Sequence, residues 1–390
     1  MIVKFATGCS LLATALVLCS PRPAQAYSVL THEALIDTIW DTSIKPVLLK
    51  KFPASTPEQL IAAHAYCYGG GIIQDVGYYP FGSHLFSDLT HYVRSGDFVM
   101  SLVAEAQDLN EYAFAIGALA HFNADNYGHP IAINKTVPIL YPKLKQKYGD
   151  TITYVENPIA HIRTEFGFDV VQVARGHYPS EAYHDFIGFQ IAKRVLERAC
   201  EDTYGLKLKD MFKTLDLALG TYRWSVGSLI PEMTKAAWAS NQDSIRKKDP
   251  GMTRKKFRYN LSRSSYEKEW GKQYERPGCG ARLLAFFFRV MPKVGPFKSL
   301  GFRTPTAEAE LLFEKSFEAT VDQDKADLVS LGAGTLKLSN KDLDTGNAAR
   351  QSEYELADKT YTKLMEKLAE SKTDVPPALL ANYNAFRAAH

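Results

Sequence analysis

Apolar side chains recur at helical intervals through most of this chain. Between Gly96 and Asn126, Phe98, Leu102, Val103 and Ala106 are followed by Ala113, Phe114, Gly117 and His121 in steps that suit one helical face. The pattern predicts a helical hairpin or two helices in succession. Further helical runs cover Glu33 to Lys50, Pro158 to Ala174, Glu181 to Glu201 and Leu215 to Ala239, with Asp and Pro at the boundaries. Strand-like alternation is scarce. The expected class is all-α, a helical bundle with long loops that can carry ligands between helices, followed by a mainly helical C-terminal extension.

The pattern changes after Asp243. Arg246, Lys247, Lys248, Arg254, Lys255, Lys256 and Arg258 surround Pro250-Gly251, which reads as a basic loop and places a domain boundary at 243/244. Beyond it come the apolar run Leu283 to Phe288, a Pro/Gly/Lys stretch, an acidic helix from Ala307 to Ala326, a glycine-containing turn region and a last helix near Tyr354 to Ser371. No internal repeat is evident.

At the N-terminus, Lys4 precedes an uncharged stretch from Phe5 to Ser20, then Ala24-Gln25-Ala26, a small-x-small triplet suited to signal peptidase. Residues 1–26 are therefore expected to be a removed signal, and the mature chain to be periplasmic or secreted. The apolar stretch falls short of the roughly 20 residues a spanning helix needs, and Pro21 and Pro23 break it before the cleavage site. Leu18 ahead of Cys19 argues against lipidation. Export also sets how charge and cysteine are counted. Losing Lys4 and Arg22 from 46 basic residues leaves 44 against 43 acids, so bulk charge does not point to nucleic acid. Cys67, Cys200 and Cys279 survive cleavage, too few for a disulfide framework.

Candidate chemistry centres on His121-x3-Asp125-x3-His129. Residues four apart on a helix lie above one another, so His121 and Asp125 can reach one cation, with His129 on a turn made by Gly128 and Pro130. His161 and Glu165 repeat the spacing, and a buried carboxylate without a partner is costly enough to make a metal attractive. Upstream, Asp75 follows Gly69-Gly70-Gly71, glycines that suit either a close backbone approach or a plain turn. His84, Asp88 and His91 come next, and His91 is the favoured ligand of the two histidines. Cleavage after Ala26 would free the amine of Tyr27, with His32 five residues on, and an amine of pKa near ~8 can give up its proton to a metal.

These residues resemble the zinc-dependent phospholipase C superfamily, which includes single-strand-specific nucleases with trinuclear zinc sites. The matching text is Thr31 to Ile36, Ala113 to His121, Asp125, His129 to Asn134, and His161-x3-Glu165, over roughly residues 27–170. The resemblance implies three zinc ions: one shared by Tyr27, His32 and Asp125, one held by Asp75, His91 and His121 with Asp125 bridging, and one held by His129, His161 and Glu165. Tyr27 stands where tryptophan is usual, and Asp125 and His129 are closer together than in the secreted phospholipases.

Nitrogen and oxygen donors without cysteine suit catalytic zinc, and two metals ~4 Å apart suit phosphodiester hydrolysis. Asp75 is the expected general base, and no nucleotide cofactor is called for. For a phospholipid or membrane surface, Phe286, Phe287, Phe288, Phe297 and Phe302 alternate with Arg289, Lys293 and Lys298. For single-stranded nucleic acid, the basic run 246–258 is joined by Tyr259 and Tyr266. A third reading has zinc only stabilising an exported binding protein, against which a large, carboxylate-rich donor set counts. Tyr183, His184 and His177 are left outside the site.

Overall fold

A computed structural model describes residues 29–175, 188–224, 243, 246, 303–371 and 375–388. Among these residues no strand occurs, and one isolated antiparallel bridge joins Lys341 to Ala348. The chain is all-α, as its periodicity predicts, with further helices in the C-terminal stretch.

The helices are α1 Val29–Ile39, α2 Lys45–Lys51, α3 Pro57–Ile73, α4 His84–Tyr92, α5 Ser95–Glu105, α6 Leu109–Gly128, α7 Asn134–Leu140, α8 Pro142–Tyr148, α9 Pro158–Arg175 and α10 Lys193–Tyr204. They continue with α11 Leu208–Met211, α12 Leu215–Trp224, α13 Ala307–Gly332, α14 Glu355–Ser371 and α15 Pro377–Ala388. The pair expected between Gly96 and Asn126 is α5 and α6, separated where Asp108 caps α6 by accepting from Glu111 N at 2.9 Å. The single helix expected from Glu33 to Lys50 is instead α1 and α2 joined by a π-helical turn at Trp40–Ile44. Pro46 is the cause: it has no N–H to return to the preceding turn, so the helix widens there and restarts. The run predicted from Glu181 begins, among described residues, only at Lys193, because Phe189 to Ile191 run alongside α3 with Gln190 N donating to Ala65 O. Of the run predicted from Leu215 to Ala239, residues 225–239 lie outside the described ones.

The helix that carries the most, α6, is buried along nearly its whole length rather than along one stripe. It crosses α3 at Gly69-Gly70-Gly71, which are neither a turn nor a loop approaching a site but part of that helix. Thr56 starts α3 with a capping box to Gln59, Pro57 occupies its first turn, and close packing outweighs the low helix propensity of the glycines. A Cβ on Gly70 would lie 1.9 Å from Phe114 O, and one on Gly117 would lie 1.8 Å from Cys67 O. Gly117→Ala therefore forces the two helices apart and should cost about 1–3 kcal/mol of stability, measured as a lowered urea midpoint with unchanged slope.

The C-terminal helices share this core. Phe313 of α13 stacks on Phe168 of α9, and Asn123 of α6 donates to Asp324 and Asp327 of α13 at 2.8 and 2.9 Å. Leu343 is fully buried in the same apolar cluster as Phe86, Phe114 and Leu364.

Candidate metal centre

Five elements converge at one end of α6. His32 comes from the first turns of α1, and Asp75 from the 3-10 turn Gln74–Tyr78 that ends α3. His91 sits in the last turn of α4 and is the buried one of its two histidines, His84 at the other end of α4 being exposed. His121 and Asp125 lie one turn apart on α6, His129 opens the π-helical turn His129–Ile133 after it, and His161 and Glu165 lie one turn apart on α9. All of these side chains are buried.

The donors fall into overlapping groups. Asp125 stands between three rings, with Oδ1 3.6 Å from His32 Nε2 and Oδ2 3.1 and 3.2 Å from the Nε2 atoms of His91 and His121. Asp75 faces the same rings at 3.4–4.0 Å. Close by, His161 Nδ1 is 2.7 Å from Glu165 Oε1 and His129 Nε2 is 3.9 Å from it. Three sets can each hold one cation: His32, His121 and Asp125; Asp75, His91 and His121; His129, His161 and Glu165. Tyr27 lies outside the described residues, as do Cys279, Tyr183, His184, His177 and the aromatic stretch 282–302; of the basic run only Arg246 is described, and it is exposed.

The test of whether these residues suit a metal is which nitrogen of each ring carries the proton. His91 Nδ1 lies 2.7 Å from Ser87 O, and His121 Nδ1 2.9 Å from Gly71 O. A carbonyl only accepts, so each Nδ1 is the donor and each neutral ring turns an Nε2 lone pair to the centre. His129 is fixed the same way by Leu343 O at 3.0 Å, and His161 is fixed in the opposite sense, its Nε2 donating to Asn134 Oδ1 at 2.9 Å and its Nδ1 facing Glu165. The Nε2 atoms of His91 and His121 stand 3.3 Å apart. Lone pairs facing one another and facing carboxylates are repulsive unless a cation lies among them. Both oxygens of Asp125 and of Glu165, Asp75 Oδ1 and His129 Nε2 are buried without a hydrogen bond. This set fits a cation.

Electrostatics carry the same demand. Burial and then the neighbouring His121 push the imidazole of His32 down to about 4, so it is a neutral donor. For His91 burial works against the charged form, but the facing carboxylates of Asp125 and Asp75 prevail and raise it well above the usual range. His121 is raised for the same kind of reason. Burial would raise Asp125, yet His121 and its neighbours hold it well below the usual carboxylate range. Glu165 goes the other way: burial, then repulsion from Asp125 and Asp75, lifts it far above that range. A proton can quiet one such pair at a time, whereas a divalent ion compensates several donors together. Nitrogen and oxygen donors in sets of three, leaving a coordination position open, are the pattern of catalytic zinc.

Several contributors lie outside the residues singled out in the sequence. Asp169 accepts Leu30 N at 3.0 Å and Thr31 Oγ1 at 2.7 Å, which fixes the start of α1 and so places His32. Asn134 holds His161, and Asp344, 2.9 Å from His129 Nδ1, enters from more than two hundred residues away. Asp169 continues the four-residue spacing of His161 and Glu165 along α9, whereas Asn134 and Asp344 share no periodic face with the ligands, and of their surroundings the Asp342-to-Asn347 run of turn-forming residues is visible beforehand.

Residues 31–213 match the family described as zinc dependent phospholipase C. No curated protein and no solved structure matches the chain. The matched segment contains every described candidate ligand, while Asp342, Asp344 and Tyr354 lie beyond it.

Proposed function

Residues 31–213 make this chain a member of the zinc-dependent phospholipase C family, and on that premise we propose that it is an exported phosphodiesterase cleaving phospholipids on the glycerol side of the phosphate. The observation that carries the reading is the convergence of three buried histidine and carboxylate sets at the end of α6, all inside the family segment. When bound, zinc supplies hydroxide near neutral pH and neutralises the phosphate oxygens. No helix among the described residues is long and apolar enough to cross a membrane.

The division of labour follows from the rings. His121 has spent its Nδ1 on Gly71, so its single remaining lone pair serves one ion, and we assign it with Asp75 and His91. Asp125, whose two oxygens face His32 and His91, would serve that ion and the ion of His32, while His129, His161 and Glu165 would hold the third. The His32 set is left a donor short. Cleavage after Ala26 would free the amine of Tyr27, the further donor that the family resemblance gives to the ion of His32. Asp75 is the group placed to take a proton from the attacking water, with its Oδ1 buried and lacking a hydrogen bond.

The test is zinc content and turnover of the chain prepared to begin at Tyr27, using phosphatidylcholine vesicles and single-stranded DNA in parallel. The expected result is close to three zinc ions per chain, release of the phosphorylated head group, and a drop of about 10²–10⁴-fold for Asp75→Asn. Cleavage of DNA with no lipid turnover would transfer the reaction to nucleic acid. Correctly processed protein that binds no zinc would end the proposal.

A further inference from the structure

The stretch from Leu336 to Tyr354 has no place in the matched family segment, yet it touches both halves of the centre. Leu343 N donates to the carbonyl of His91 at 3.1 Å, and Leu343 O accepts from His129 Nδ1 at 3.0 Å. Asp344 Oδ1 lies 2.9 Å from that same nitrogen. The backbone carbonyl of Asp344 accepts from Asn134 Nδ2 at 2.7 Å, and Asn134 in turn accepts from His161 through its Oδ1 at 2.9 Å. One short segment therefore fixes His129 directly and His161 through a single intermediary.

The segment is itself held firmly. Asp342 accepts Asp344 N at 2.9 Å and Thr345 Oγ1 at 2.8 Å, and its own carbonyl accepts Gly346 N at 2.8 Å. Gly346 closes this turn at φ 74°, a left-handed conformation that favours glycine. The second oxygen of Asp344 accepts from Tyr92 at 3.2 Å and from the Tyr354 hydroxyl. Asp344 is 2% exposed. Its carboxylate, oriented by two phenols and a backbone turn, has one remaining direction, toward His129.

We propose that Asp344 is a positioning residue for the His129, His161 and Glu165 zinc site, and that the loop 342–347 completes this site from outside the family segment. This rests on the zinc reading above. A carboxylate behind a metal-binding histidine fixes the tautomer and ring angle and raises the basicity of the nitrogen in front, and losing such a partner costs about 10–100-fold in metal affinity. Here the nitrogen in front is Nε2, which faces Glu165.

The experiment is zinc titration of the chain beginning at Tyr27 against a competing chelating dye, comparing the native sequence with Asp344→Asn and Tyr354→Phe, with thermal melting of each zinc-stripped protein alongside. Asp344→Asn should weaken one of three ions by about 10–100-fold and leave the other two unchanged. Tyr354→Phe, which removes only a hydroxyl holding Asp344, should shift the same ion in the same direction by less, and it decides the matter if Asp344→Asn does not fold. A merely structural role would lower the melting temperature of the stripped protein and leave the three affinities moving together. Native affinity at all three sites in Asp344→Asn would overturn the inference and leave the zinc reading intact. A native chain with no zinc at this site would overturn both.

Discussion

Asp125→Ala is expected to leave the protein with about one zinc ion in place of three and to reduce phosphodiester turnover at least ~10³-fold. The reason is the position of one carboxylate. Its Oδ1 faces His32 at 3.6 Å while its Oδ2 faces His91 and His121 at 3.1 and 3.2 Å, so its two oxygens face the rings of two cation sets. Without it, the Nε2 atoms of His91 and His121 still face each other at 3.3 Å, with only Asp75 left to balance a divalent ion there. Two metals acting as a clamp on a phosphate are worth several kcal/mol, and ~4 kcal/mol corresponds to about 10³ in rate. Asp125→Asn keeps the volume and one oxygen but not the charge, and should fall between native and Ala in zinc content. The ion at His129, His161 and Glu165 should survive both changes. Metal analysis decides the point: three ions retained in Asp125→Ala would remove Asp125 from its shared role.

How far the sequence speaks for this centre depends on whether a contact is local. His121 with Asp125, and His161 with Glu165, are legible because residues four apart on a helix share a face, and both pairs lie on helices that periodicity predicts. His32, Asp75 and His91 have no such local partner; the order of motifs along the chain points to them, and the crossing of α1, α3, α4 and α6 brings them together. Gly69 to Gly71 show the limit in the other direction. Their composition reads as a turn, since the usual reason for three glycines is conformational freedom, but here they are chosen for the absence of a Cβ: at Gly69 against the carbonyl of Gln190, at Gly70 against α6 and at Gly71 against Ile36 of α1. Only the folded neighbours reveal that.

The polar supports are less legible still. Asn134, Asp169 and Asp344 hold His161, α1 and His129, and each contact spans a separation that no sequence period encodes. Asn134 and Asp344 are constrained by hydrogen bonds rather than by a face and leave no repeating trace, whereas Asp169 stands four residues after Glu165 on α9 and extends the His161-x3-Glu165 spacing. The consequence for organisation is concrete: Asp344 and the histidine it touches lie on opposite sides of the basic run 246–258 in sequence, while α13 packs on α6 and Leu343 is in the same core as Phe114.

Stripping zinc should lower the thermal midpoint by more than ~10 °C, with a loss that grows as pH rises. At a thousand times Kd each ion adds about 4 kcal/mol of stability, and a domain of this size moves about 2–4 °C per kcal/mol, so even one ion is visible. The pH dependence follows from which groups the empty centre protonates. His91, His121 and His129 are raised above 6.5 by their carboxylate neighbours against the effect of burial. Their contribution to the stripped protein is complete below pH 6.5 and is lost as pH climbs through their folded values. Glu165, raised by burial and by Asp125, is penalised in the same direction, because above pH 4.5 the unfolded chain ionises it freely and the folded one does not. Asp342, lifted to about 7 by burial and by Asp344, adds to the loss between pH 4 and 7. His32, pushed down to about 4, opposes them only between pH 4 and 6.5. Zinc needs the deprotonated ligands, so its grip strengthens over the range where the stripped protein weakens. Melting with and without a chelator should therefore give curves that draw together toward pH 5 and separate toward pH 9. A gap that stays constant from pH 6 to 9 would mean that protons and zinc do not compete for the same side chains.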